Sequence, residues 1–172
     1  MTADKGQLTI IGCGNLNRCD DAVGVLVAQR LQQFLAENPV PNVRVYDCGT
    51  AGMEVMFQAK GSTALIIIDA SKTNSEPGAV FKVPGSELEN LPEPSYNLHD
   101  FRWDHALAAG RKIFREEFPK EVTVYLIEAE NLEFGFEVSA SVKRGAEFVF
   151  EEIVSDLRAI AADDAVNATG NS

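Results

Sequence analysis

Acidic residues recur in this sequence just past short apolar runs that read as strands. Residues 8–11 lead into Gly12-Cys13-Gly14-Asn15 and then Asp20-Asp21. Residues 43–46 lead into Asp47-Cys48-Gly49-Thr50, and residues 64–68 lead into Asp69. Ligands of an open parallel sheet bind beyond the carboxyl ends of its strands, so such a sheet would gather these carboxylates on one edge. Each residue also has a plain structural use in a turn or a helix cap. Histidine occurs only as His99 and His105. His99 precedes a helical stretch, where its imidazole can reach over the sheet edge, whereas His105 lies inside that stretch. Two carboxylates and one imidazole would make a borderline-hard donor set, suited to nickel, zinc or a similar ion with positions left open.

The glycine loop invites a dinucleotide reading and fails it. Gly12 and Gly14 match the first two fingerprint positions, but Asn17 occupies the third. Asp20 and Asp21 then stand at the start of the next helix, where a pyrophosphate would need the bare positive end of the dipole. Two carboxylates there repel phosphate and attract cations, so no nucleotide cofactor is expected. Asp20 is expected to cap that helix, leaving Asp21 freer to face the cleft. Cys13, Cys19 and Cys48 form no CxxC pair and read as small buried or loop residues. The HExxH and GxSxG signatures are absent, so a hydrolase built on this chain would use no standard triad.

Elements able to position these residues follow from periodicity. Between residues 21 and 38, Val23, Val27, Leu31 and Phe34/Leu35 recur at helical spacing before Pro39. A shorter helix is expected over 53–60, stopped by Gly61. Residues 64–68 are apolar throughout, which predicts a central strand with both faces covered. Residues 79–83 lie between Gly78 and Pro84 and read as an edge strand. Residues 87–96 read as a loop, 103–118 as a helix and 122–127 as a strand. A last helix runs to about residue 161, with Ser139 or Ser141 as its cap. Strands alternating with helices predict a three-layer α/β/α sandwich around a mostly parallel, twisted sheet of about five strands. Residues 1–162 are expected to form one domain, and 163–172 a flexible tail.

Lysine and arginine number 15 against 26 aspartates and glutamates, for a formal charge of −11. That balance argues against nucleic acid or an anionic membrane as partner, because a phosphate surface needs a basic footprint. The first apolar run is too short for a signal peptide or a membrane span. Three cysteines do not make a secreted disulfide framework, so the cytoplasm is the expected location.

Taken together, these motifs resemble the hydrogenase maturation endopeptidases. Gly12-Cys13-Gly14-Asn15 followed by Asp20-Asp21-Ala22-Val23-Gly24 resembles their opening GxGN…D(D/E)xxG block. Asp47-Cys48-Gly49-Thr50-Ala51-Gly52 is similar to their D-G-G-T-x-G block, with Cys48 where glycine is frequent. The strand ending in Asp69 resembles their third block. Glu128-Ala129-Glu130-Asn131, with Gly135 and residues 139–142, resembles their closing region, although a proline often precedes its glutamate. The similarity runs in order along nearly the whole chain. It implies an endopeptidase, of aspartyl type, that removes the C-terminal extension of a nickel-loaded [NiFe] hydrogenase large-subunit precursor. Its metal ligands would be Asp21, Asp69 and His99, engaging nickel supplied by the substrate. Alignment of the helix around Leu107 puts the family histidine on His99 rather than His105. Gly14, Asn15, Asp47, Cys48, Gly49 and Thr50 would form the cleft loops. The alternative is a chaperone that inspects the metal without hydrolysis.

Overall fold

A computed structural model describes residues 6–88 and 102–169. Five strands form one sheet: β1 (Leu8–Cys13), β2 (Val43–Gly49), β3 (Ala64–Ser71), β4 (Val80–Pro84) and β5 (Glu121–Glu128). Their spatial order is β2-β1-β3-β5-β4. The four strands from β2 to β5 are parallel, and β4 runs antiparallel at the edge. Central placement of β3 follows from its composition: Ile67 and Ile68, on opposite faces of the pleat, are both completely buried. Covering each such side chain contributes about 1.5–3 kcal/mol.

The sheet separates two cores. On one face, α1 (Val23–Glu37) and α5 (Ala140–Thr169) pack Val27, Leu31, Val149 and Ile153 against Ile10, Ile68 and Ile127. On the other, α2 (Gly52–Ala59) and α4 (Trp103–Phe114) pack Val55, Met56, Ala106 and Leu107 against Ile11, Ile67 and Val124. A single turn, α3 (Gly85–Leu88), follows β4. The fold is the expected three-layer, mostly parallel α/β sandwich.

Several boundaries differ from expectation. Asp20 and Asp21 belong to a 3-10 turn, Cys19–Ala22, that runs directly into α1. Helix α4 ends at Phe114 and tightens into the 3-10 turn Arg115–Glu117, where Arg115 takes a φ of 48°. The last helix continues to Thr169 rather than stopping near residue 161, although its buried residues end at Leu157. Ser139 and Ser141, expected as its caps, direct their hydroxyls to the carboxylates of Asp20 and Glu130. Among the described residues no helix is long and apolar enough to cross a membrane.

Candidate active site

At the carboxyl ends of β1, β2 and β3 the chain leaves an open pocket of about 240 Å³, lined by Cys13, Gly14, Asp21, Gly49, Thr50, Gly52, Asp69, Arg102 and Trp103. The first two glycine loops are tied to each other there, with the Gly14 N–H donating to the Gly49 carbonyl at 2.9 Å. Gly14 has a φ of 140°, and a β-carbon on it would fall 1.8 Å from the Asp21 carbonyl oxygen. Only glycine lets the turn bring Asp21 so close to the end of β1. Gly24 acts similarly one turn on, since a β-carbon there would lie 2.2 Å from the Ile68 carbonyl oxygen. The start of α1 therefore rests directly on the sheet edge, and Asp21 is held beside it. The Asn15 N–H donates to the Asp21 carboxylate at 3.1 Å.

Asp69 lies on the same face of β3 as Ile67, toward α4, and is 5% exposed. Its carboxylate accepts from the Trp103 indole N–H at 2.6 Å, the Ala70 amide at 2.8 Å and the Arg102 guanidinium at 3.3 Å. Burial pushes its pKa up; Trp103, Arg102 and Ala70 oppose this, and the nearby Asp21 charge adds to it. The outcome is a rise from 3.8 to about 6. Two carboxylates, one of them desolvated, thus share a pocket whose electrostatics favour a cation. Arg102 supplies positive charge from the outside, with most of its side chain in solvent.

Neighbouring Asp20 behaves otherwise. It is completely buried and does not cap α1, whose N-cap is Ala22 with no side-chain hydrogen bond. Its carboxylate instead accepts from the amides of Glu130, Asn131 and Ser139 and from the Ser139 hydroxyl, at 2.6–2.9 Å. Burial raises its pKa, but the donors of Asn131, Ser139 and Glu130 outweigh this and hold it below 3.8. The expectation that one carboxylate of the doublet is structural holds in this altered form: Asp20 clamps a distant loop rather than a helix end.

Other sequence candidates separate as well. Asp47 is exposed and accepts from the Gly49 amide and from Gln29, as a turn residue does. Cys48 is buried beneath the cleft, and Asn15 touches the site through its amide. Burial raises the Cys48 thiol to about 12, and burial with the Asp69 charge drives Cys13 well above its usual value. Neither thiol is disposed to act as a nucleophile. His99 lies outside the described residues. His105 caps α4, its Nδ1 accepting from the Arg102 amide at 3.4 Å. Among the described residues, no group of three His, Cys, Asp or Glu side chains is set to hold a metal ion. Trp103 and Arg102, the donors that hold Asp69, were not anticipated. The only hint in the sequence is their position at the start of the helix that follows His99.

Comparison with known proteins shows which family the chain belongs to. The family model "HycI: Hydrogenase maturation protease" matches residues 25–156. The chain belongs to the hydrogenase maturation proteases. It is 31% identical over 155 residues to the Hydrogenase 2 maturation protease of Escherichia coli (strain K12), spanning 88% of this chain and 91% of that relative. It is 26% identical to the coenzyme F420 hydrogenase subunit delta of Methanothermobacter thermautotrophicus, over 86% of this chain and 94% of that one. Among solved structures, the hydrogenase maturating endopeptidase HybD from E. coli aligns with a TM-score of 0.69 at 26% identity, over 88% of this chain and 92% of its own. The maturation protease HycI from Thermococcus kodakarensis KOD1 shares the fold at a TM-score of 0.70 and 23% identity, over 91% and 95% of the two chains. As a hydrogenase maturation protease the chain is a peptidase concerned with hydrogenase processing, which disfavours the non-hydrolytic chaperone.

Proposed function

We propose that this protease removes the C-terminal extension of a [NiFe] hydrogenase large-subunit precursor once nickel has been inserted, and that the substrate's own nickel is what the pocket recognises. The observation that carries the reading is the pairing of Asp21 with buried Asp69 in one open pocket. A carboxylate kept at about 6 by burial and by a like charge gains most from an arriving cation, because the ion removes both penalties. Oxygen donors suit nickel when joined by an imidazole, and His99 is the proposed third ligand. Arg102, the first described residue after it, already lines the pocket.

In this reading the protein's own groups prepare the encounter. Trp103 and the Ala70 amide fix one orientation of Asp69, and the Asn15 amide fixes Asp21. Arg102 partly offsets the Asp69 charge in the free protein and swings outward when the metal-bearing substrate enters. A precursor lacking nickel leaves Arg102 in place, which would make cleavage conditional on metal loading. The thiols of Cys13, Cys19 and Cys48 are all free and buried, in keeping with action in the cytoplasm.

The test replaces Asp21, Asp69 and His99 singly with alanine in a host that makes the cognate hydrogenase. Each variant is expected to accumulate an uncleaved, nickel-containing precursor, visible as a mass equal to the mature subunit plus its extension. Normal processing in all three sinks the assignment. A stronger defect in His105→Ala than in His99→Ala would move the third ligand to α4.

A further inference from the structure

The segment between β5 and α5 does more than receive Asp20. Its backbone is irregular yet tied down at many points. Besides the three amides on Asp20, the Gly135 carbonyl accepts from the Cys19 N–H, and the Asn17 carbonyl accepts from the Gly135 N–H, both at 2.9 Å. The Asn131 side chain accepts from the Glu133 amide. Out of this fixed loop stand Phe134, 79% exposed, and Phe136, 81% exposed. They are the most exposed large hydrophobic side chains among the described residues. The Arg18 guanidinium lies 4.5 Å above the Phe134 ring. Phe136 also walls a groove with Leu26 and Val27 of α1 and Ala146 of α5. Phenyl rings held in water by a well-bonded loop mark an interaction surface, since aromatic anchors dominate interface energetics.

We propose that Phe134 and Phe136 dock the body of the substrate protein, through an apolar segment of it flanked by lysine or arginine. The proposal rests on the peptidase reading above and adds a second contact, away from the scissile bond. Continuity selects this occupant. The loop is hydrogen-bonded to the same turn that carries Asp21, so the rings stand within reach of a folded protein that presents its tail to the pocket. Charge supports it too. Glu133 and Glu137 flank the rings in sequence, cations beside them are already engaged (Arg18 over the Phe134 ring, Arg30 with Glu147), and the chain as a whole carries −11. A second copy of this chain would bring the same carboxylates to the same place, which favours a cationic partner instead.

The experiment measures binding and cleavage of nickel-loaded precursor by the wild type, the Phe134→Ala/Phe136→Ala double variant and the Glu133→Lys/Glu137→Lys double variant. Both pairs of substitutions are on the surface, and unchanged thermal unfolding confirms that the variants fold. The expected result is a dissociation constant at least tenfold weaker for each, with the loss of kcat/KM falling on KM. The charge-reversed variant should differ from wild type most at low salt. Unchanged affinity and KM in both variants overturn the proposal. So does gel filtration showing that the phenylalanine substitutions convert a dimer to a monomer, because the occupant is then a second copy. Wild type that binds the precursor but leaves it whole refutes the peptidase reading while the docking comparison still stands. Wild type that neither binds nor cleaves it overturns both.

Discussion

Asp20 and Asp69 are both buried carboxylates at one edge of the same sheet, and their surroundings set them in opposite directions. Asp20 meets four neutral donors from the 130–139 loop and is held below its ordinary pKa. Asp69 has three, one of them a largely exposed guanidinium at 3.3 Å, and shares its pocket with Asp21. It remains poorly compensated and titrates at about 6. Burial alone therefore does not separate a structural acid such as Asp20 from one proposed to act, such as Asp69. What separates them is whether the donors suffice for the charge, and whether one side opens on solvent.

That contrast can be broken most sharply at Asp69. Asp69→Asn preserves an acceptor for Trp103 while removing the charge. Processing rate, measured on nickel-loaded precursor, is expected to fall at least a hundredfold, equivalent to about 3 kcal/mol of transition-state stabilisation. Retained activity would place the chemistry elsewhere. Asp20→Ala comes next. It strips the acceptor from three amides and a hydroxyl, and urea unfolding should show a loss of about 3 kcal/mol. A loss below about 0.5 kcal/mol would mean that the loop finds other partners.

Stability against pH gives the sign of each environment. Asp20, with a lowered folded pKa, adds stability above its unfolded value near 3.8 and loses it as pH falls through the folded value. Asp69, with a raised one, costs stability as pH rises from 3.8 through about 6. Asp69→Asn should consequently be more stable than wild type above pH 6, and lose that advantage toward pH 4. The rise corresponds to about 3 kcal/mol at most, and a gain of about 1–2 kcal/mol is expected once the Arg102 contact is lost. A variant less stable at pH 7 would show that Asp69 is well compensated after all. The smallest effect concerns the thiols. Alkylation of Cys48 in the native protein at pH 8 should run at least tenfold slower than in denaturant, because its thiol is held at about 12.

The sandwich was legible because its strands differ in composition. An all-apolar run marked β3 as central, while Gly78 and Pro84 marked β4 as an edge. Asp21 and Asp69 were legible because strand ends in a parallel sheet converge, and the structure does bring them together. Asp47 obeyed the same rule yet points into its own turn, since an aspartate two residues before a glycine amide can satisfy that amide locally. The fate of Asp20 was misread for a related reason. A local cap can be inferred from neighbouring letters, but its true partners lie 110 to 119 positions along the chain. Trp103 and Arg102 escaped because their hydrogen bonds to Asp69 depend on how α4 is laid against β3. Nothing in their own segment announces that.

One consequence of the 3-10 turn at Cys19–Ala22 concerns side-chain length. Three residues complete such a turn, so adjacent side chains diverge by about a third of a revolution. Asp20 is thereby sent into a fitted nest and Asp21 toward open volume. A glutamate at 20 has no room for its extra methylene without parting the loop from its donors. A glutamate at 21 lengthens into the pocket and would bring its carboxylate nearer the proposed nickel. The two neighbours, identical in type, differ in the one respect that matters for change: only Asp21 has somewhere to grow.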